Sequence, residues 1–358
     1  MDNYIYVLHE RGAKSHFLAL EEYALRHDKK IAYHEFSITR FLFKSIVKRD
    51  FNLLKNQLLN IVFLIKLCFS SKKKIIIGIA PYDWRLVHLK LILKKHNVFY
   101  FTSWTSWSGD FYPKKKLSSF NYIKKSWRGF LEKDIKGVFA VTNSALSSLK
   151  EYYDLKCKSS IVYHAYSQKS LINTAVNERE SNKTKLIYVG RLIEEKGIQE
   201  LFDLMNVLDP QKFSLTIIGD GELKSIVETK AQLQSNINYI GYLSDKKELY
   251  KTYQNHDIQI LFSRKSDTWE ELFGIVIIEA MLNGVITLTT DHSGPKEIIK
   301  NNVDGFILSD DSKLVKNTKA ILDEGIKDLN QMKQEALMNS QYFSVDKLYL
   351  KWKDLLDE

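Results

Sequence analysis

The run Lys74 to Ala80, K-I-I-I-G-I-A, is almost continuously β-branched and is cut off by Pro81. A strand with one face in water alternates apolar and polar residues. A strand without alternation is covered on both faces, as in a parallel sheet flanked by helices. Parallel neighbours cannot be joined by tight hairpins, so such a strand demands crossover helices. The chain supplies them. Tyr4 to Leu8 reads as a strand, and Ser15 to Arg26 follows with Phe17, Leu18, Leu20, Tyr23, Ala24 and Leu25 at helical spacing. Ile31–Phe36, Val98–Phe101, Gly137–Thr142 and Ser159–Tyr163 read as further strands, with helical stretches over Phe41–Phe69 and Trp84–Lys95. This alternation predicts right-handed β-α-β units and a doubly wound α/β fold.

A length of 358 residues exceeds what one core usually holds, so two domains are expected. The polar stretch Ser167 to Lys185 reads as the linker. Charge divides at the same place. Up to Ala165 there are 29 Lys and Arg against 13 Asp and Glu, and from Tyr166 onward 24 against 30. Residues 51–150 alone hold 18 basic and 4 acidic side chains, with Lys72–Lys74, Lys114–Lys116 and Lys124–Lys125 as clusters. Such a surface attracts nucleic acid, anionic lipid or a phosphorylated substrate, or is simply solvated, and charge alone does not choose. Lys114 to Lys133 reads as a basic amphipathic helix with Phe120, Ile123, Trp127, Phe130 and Leu131 on its apolar side, a pattern suited to an anionic bilayer or to ordinary surface packing. Trp104 and Trp107 follow a strand end, where they either contact a ligand or lipid or cap the core. Lys66 interrupts the apolar residues of the long helical stretch, so a membrane span is not expected there. Cys68 and Cys157 form neither a C-x-x-C nor a zinc spacing, and M-D-N-Y-I-Y-V-L-H-E lacks signal-peptide character. Both features lead to the expectation of a cytoplasmic protein.

In the second half, L-I-Y-V-G-R-L-I-E-E-K-G ends a buried strand at Gly190 and starts a helix near Gly197, with Arg191 and Lys196 in the loop. Phe213 to Gly221 runs a strand into the turn Gly219-Asp220-Gly221, and Tyr239–Gly241 leads to Tyr242 and Leu243. Asp257–Phe262 is a strand that opens into S-R-K-S-D-T-W-E-E-L-F-G-I-V-I-I-E-A-M-L-N-G. Here Phe273 and Gly274 mark a helix start, Glu271 precedes it, and Glu279 lies inside an otherwise apolar helix. A carboxylate there needs a partner, either a Lys or Arg or a bound ligand. The free amides at Gly274 and Ile275 form an anion site at a positive dipole end.

The stretch E-L-F-G-I-V-I-I-E, with G-R-L-x-x-x-K-G before it, resembles the E-x7-E signature of retaining glycosyltransferases of the GT-B fold, family 4. The resemblance implies two Rossmann-like domains facing a cleft: residues 1–166 for the acceptor, 167–341 for a nucleotide-sugar, and a last helix, 342–358, crossing back to the first. It implies that Glu271 faces the donor sugar, that Glu279 binds the ribose, and that Arg191 and Lys196, beside Gly190, neutralise the leaving diphosphate. Gly219, Phe273, Gly274 and Ile275 line the donor site, and Tyr242 and Leu243 border the base. The donor expected is a nucleotide-diphosphate sugar, UDP-linked in the first instance. No other cofactor and no metal are expected. S-G-P-K-E-I-I departs from the family's G-G-x-x-E-I-I at Pro295, which leaves the role of Gly294 open. Relatives often carry a Gly-Gly loop after the first strand; this chain has Arg11-Gly12, with Lys14 and His16 nearby. His16 and His164 are candidates of lower rank.

Together with the basic N-terminal half, the resemblance implies transfer to a glycan or a polyprenyl- or lipid-linked glycan in bacterial surface-polysaccharide synthesis. An anionic membrane surface is an expected partner, with a peripheral place on the inner face of the cell membrane, and nucleic acid is not. The alternatives are a GT-B nucleotide-sugar epimerase and a non-catalytic basic module binding nucleic acid or membrane.

Overall fold

The computed structural model describes residues 3–9, 14–107, 120–167, 183–267 and 269–357, with the backbone only at residues 39 and 40. It divides into two units, Met1–Ala165 with Val345–Glu358, and Tyr166–Ser344.

The first unit holds β1 (Tyr4–His9), β2 (Lys30–His34), β3 (Lys74–Gly78), β4 (Asn97–Thr102), β5 (Gly137–Ala140) and β6 (Lys158–Ile161). All pair in parallel in the order β2-β1-β3-β4-β5-β6. Ile75, Ile76 and Ile77 of β3 are fully buried, which is the double coverage that the unbroken apolar run requires. The order reverses between β1 and β3, where His9 stands opposite Gly78.

Several expected elements differ in extent. The helical stretch 41–69 is two helices, Ile38–Val47 and Phe51–Cys68. Arg49 adopts a left-handed φ of 52° at the break, and the Asp50 side chain caps the second helix at Leu53 N, 2.9 Å away. The expected helix 114–133 is Asn121–Gly129 followed by a π-helical turn, Phe130–Asp134, and residues 114–119 lie outside the described set. Of its apolar side, Phe120 is 50% exposed and the other four residues are not free for a bilayer. Ile123, Trp127, Phe130 and Leu131 are buried against Tyr100 and Leu86, and Trp127 Nε1 donates to the Asp83 carbonyl at 3.1 Å. Trp107 is core as well, with its ring against Tyr100, Trp127 and Tyr153.

The last helix, Val345–Leu356, belongs to the first unit. Trp352 packs against Phe17, Phe101 and Phe139, and the Lys351 carbonyl accepts from Ser160 Oγ at 2.8 Å. The boundary falls three residues later than 342, because Tyr342–Ser344 stay with the second unit. Phe343 stacks edge-on to Phe273, and Ser344 bridges to Tyr166.

The second unit holds β7 (Thr184–Val189), β8 (Phe213–Ile218), β9 (Ile237–Gly241), β10 (Ile258–Leu261), β11 (Ile286–Thr290) and β12 (Gly305–Leu308). Its order, β12-β11-β10-β7-β8-β9, is the dinucleotide-fold order, with every pair parallel. The reversal lies between β7 and β10. In sheets of this kind ligands sit outside the carboxyl ends of the strands at that reversal.

Candidate functional site

The loop that leaves β7 is short and tightly folded. Gly190 N donates to the Ile218 carbonyl at 3.0 Å, a 3-10 turn follows over Glu194–Lys196, and helix Ile198–Val207 begins after Gly197. Gly197 has φ 68°, and a Cβ there would lie 1.9 Å from the Phe262 carbonyl oxygen. No other residue fits that conformation and that approach. The close packing presses the β7 loop onto the end of β10, where the Arg264 amide donates to the Glu195 carbonyl at 2.8 Å.

This contact brings Lys196 and Glu271 together across 75 residues of sequence. The two form an ion pair, with side chains only 10% and 12% exposed. Ser263 Oγ, at the carboxyl end of β10, donates to the same Glu271 oxygen at 3.1 Å. The Glu271 amide donates to His292 Nδ1 at 3.0 Å, and His292 Nε2 lies 2.7 Å from the Ser263 carbonyl. Nδ1 therefore accepts and Nε2 carries the proton, the neutral tautomer. Burial lowers the His292 pKa, which agrees with this assignment. The Lys196 ammonium also stands 5.3 Å from the Trp269 ring centre. Tyr188, in β7, donates to the Arg191 carbonyl at 2.7 Å; its phenol pKa is raised by burial first and by the Glu271 charge second.

Helix Ile275–Leu282 opens at Gly274, whose φ of 88° lets the chain turn in without a side-chain cap. Ile277 to Leu282 are all buried, including Glu279. Glu279 pairs with Lys246 at the start of helix Lys246–Tyr253, and the lysine side chain is 55% exposed against 8% for the acid. Burial and then the Glu279 charge raise the Tyr253 pKa. Leu243 packs with Val276 against Tyr250, whereas Tyr242 is exposed.

Thus Glu271 and Lys196 meet directly, with Arg191 at the same strand end. Its guanidinium is exposed and forms no ion pair among the described residues. Lys196, expected at this strand end, is 8% exposed and paired with Glu271. Glu279 has a lysine partner, one of the two readings its burial allowed. Gly219 sits against the Gly190 carbonyl and donates to the Gly241 carbonyl at 3.0 Å, so it spaces the loops. Gly294 N is used on the Glu271 carbonyl at 3.1 Å, and Pro295 lies in the first turn of helix Ser293–Ile298, where no amide is needed.

Sequence reading missed Ser263, His292 and Lys246. The first two follow β10 and β11 directly, so their place at strand ends was the available signal. Lys246 had none. In the first unit, His9, His16 and His164 cluster, with His16 and His164 ring centres 4.4 Å apart. Burial lowers the His16 pKa to about 4 and that of His164 to about 3.

Residues 172–337 match the family model Glycosyl transferases group 1. The chain is 28% identical over 207 residues to an uncharacterized 41.2 kDa protein in the cps region of Klebsiella pneumoniae, covering 53% of this chain and 55% of that one. It is 29% identical over 129 residues to the amylovoran biosynthesis glycosyltransferase AmsK of Erwinia amylovora, covering 34% and 31%. The matched part is thus about half or less of these relatives' length. Among solved structures, Anabaena HepE in complex with UDP-glucose superposes with a TM-score of 0.68 at 15% identity, over 99% of both chains. On these findings residues 172–337 are similar to the glycosyl transferases group 1 family, and the chain has the two-unit α/β GT-B fold.

Proposed function

We propose that the protein is a glycosyltransferase that moves a sugar, with retention, as family 4 enzymes do, from a UDP-linked donor to a glycan or lipid-linked glycan during surface-polysaccharide synthesis. The observation that carries this reading is the convergence of Lys196, Glu271, Ser263 and His292 on the β7/β10 reversal, beside the uncapped start of helix Ile275–Leu282. The cps-region and amylovoran relatives support the pathway class, and the UDP-glucose bound to HepE supports the donor.

In this mechanism the donor diphosphate lies at the Gly274 and Ile275 amides, with Arg191 and Lys196 offsetting its charge. Glu271, fixed by Ser263 and by its own amide bond to His292, orients the sugar. Glu279 accepts the ribose hydroxyls. Lys246 is mostly in solvent, so it can swing away while the buried carboxylate exchanges one donor for two. The bond from C1 to the diphosphate oxygen breaks and the acceptor oxygen bonds to C1 on the same face. The acceptor proton passes to the departing diphosphate oxygen, so no protein base and no further cofactor are needed. The acceptor is assigned to the basic first unit. The reaction is placed in the cytoplasm at an anionic membrane surface, where such donors and lipid-linked acceptors meet.

The test is calorimetric titration of UDP, GDP and CMP into the wild type and Glu279→Ala. UDP binding at about 10 μM, weakened at least tenfold in the variant, is expected. Equal UDP binding by both proteins, or none by the wild type, refutes the donor-site assignment.

A further inference from the structure

The helices Ile38–Val47 and Phe51–Cys68 pack on each other in the first unit, and the second turns polar as well as apolar residues inward. Its inward face carries buried Gln57 and Asn60. Gln57 Nε2 donates to Glu35 Oε2 at 3.2 Å, and Asn60 Oδ1 accepts from the Glu35 amide at 3.4 Å and lies 3.2 Å from His34 Nδ1. Its outward face carries Phe51, Leu58, Val62, Ile65 and Phe69, at intervals of seven, four, three and four residues along one stripe. Phe51 is 79% exposed and Phe69 89%. The first helix exposes Phe43, Ile46 and Val47 at the same kind of spacing. A helix packed for water puts its apolar stripe inward; an exposed apolar stripe on such a helix marks an interaction site.

Charge identifies the partner. Residues 36–82 contain nine Lys and Arg and a single acid, Asp50, which is used as the helix cap. Lys55 and Lys66 flank the stripe in solvent, and Lys95 Nζ reaches the Cys68 carbonyl at 3.5 Å at the helix end. Long cations beside an apolar stripe extend to phosphate headgroups while their stems lie along it. A second copy of the chain docked on the same face would set like charges against each other. The helix spans 18 residues, enough by length and composition to cross a bilayer. Phe63 and Leu67 are nonetheless in the unit's core, and the Gln57 and Asn60 bonds tie the helix flat along it.

We propose that this face seats the protein on an anionic phospholipid bilayer, the helix Phe51–Cys68 lying in the interface with its stripe among the acyl chains. The proposal rests on the lipid-linked-acceptor reading only for its purpose. The surface differs from the 114–133 segment, for which the sequence left a bilayer and ordinary packing open and whose Ile123, Trp127, Phe130 and Leu131 face the core.

The test is flotation of the full-length protein with phosphatidylcholine vesicles, with and without phosphatidylglycerol, at low and physiological salt. Three variants accompany it: Leu58→Gln/Val62→Gln/Ile65→Gln, Lys55→Glu/Lys66→Glu, and Lys124→Glu/Lys125→Glu on the Asn121–Gly129 helix. Circular dichroism and UDP titration check that each remains folded. The wild type should bind the phosphatidylglycerol vesicles in a salt-sensitive way. The triple variant and the Lys55/Lys66 variant should bind at least about tenfold more weakly, and the Lys124/Lys125 variant like wild type. Wild-type protein that ignores the vesicles overturns the proposal, as does a triple variant that still binds. So does loss of binding in the Lys124/Lys125 variant, or concentration-dependent self-association that the triple variant abolishes. Failure of UDP binding with vesicle binding intact would sink the donor reading and leave this one standing.

Discussion

Lys196 and Glu271 give the sharpest test, because their pairing fixes both the stability and the chemistry of the β7/β10 reversal. Their side chains are 10% and 12% exposed, so either charge left alone is largely desolvated. Removing one member of a buried pair costs about 3–5 kcal/mol. Ser263 Oγ still donates to Glu271 after Lys196→Ala, which places that variant at the low end, about 3 kcal/mol. For a domain of this size that lowers Tm by roughly 6–12 °C. Glu271→Ala should cost a similar amount, since among the described residues Lys196 then keeps the Trp269 face alone. The double variant removes both charges, so its loss should fall below the sum by about 2 kcal/mol. Activity should separate the two residues. Lys196→Ala should weaken UDP binding at least about tenfold by losing a charge-assisted phosphate contact, whereas Glu271→Ala should bind UDP and lose sugar transfer. Urea and thermal unfolding by circular dichroism, with calorimetry, read all four proteins. Additive stability losses would refute the pairing, and UDP binding equal in Lys196→Ala and wild type would refute its phosphate role.

Two further outcomes follow from individual groups. Gly197→Ala forces a Cβ to within 1.9 Å of the Phe262 carbonyl at φ 68°, so the β7 loop must separate from β10. Thermal unfolding should show a loss of at least about 2 kcal/mol, with transfer reduced because Lys196 moves with the loop. His16 and His164 have folded pKa values of about 4 and about 3, below the 6.5 of the unfolded chain. Between those values the unfolded state binds more protons, so stability is full above pH 6.5 and falls as pH drops toward 4 and 3. Urea midpoints between pH 7 and pH 4.5 should decline, and the decline should be smaller in His164→Asn.

The parallel sheets were readable because double coverage leaves no alternation, as in Ile75–Ile77, and because several strands are followed by helical spacing. The donor-site residues were readable through position: Arg191 and Lys196 follow one strand end, Glu271 another. What they contact was not. The distance of 75 residues between Lys196 and Glu271 closes only because β10 lies beside β7, and strand order is a property of the assembled sheet. The same reason hid Lys246 as the partner of Glu279. The direction in which an amphipathic helix faces was left open for a related cause. Periodicity finds the stripe at Ile123, Trp127 and Phe130 and the stripe at Leu58, Val62 and Ile65 equally well. Packing buries the first and leaves the second in solvent, with Gln57 and Asn60 turned inward.

By itself, then, the sequence determined the α/β class, the two-part division near Ala165, the uneven charge and the chemical types gathered after β7 and β10. These depend on local periodicity and composition, which the chain carries before it folds. Tertiary structure decided strand order, the Lys196–Glu271 and Lys246–Glu279 pairs, the tautomer of His292 and which apolar stripe meets solvent. Each of these is a contact between segments distant in sequence, and its energy exists only once the sheets have brought those segments together.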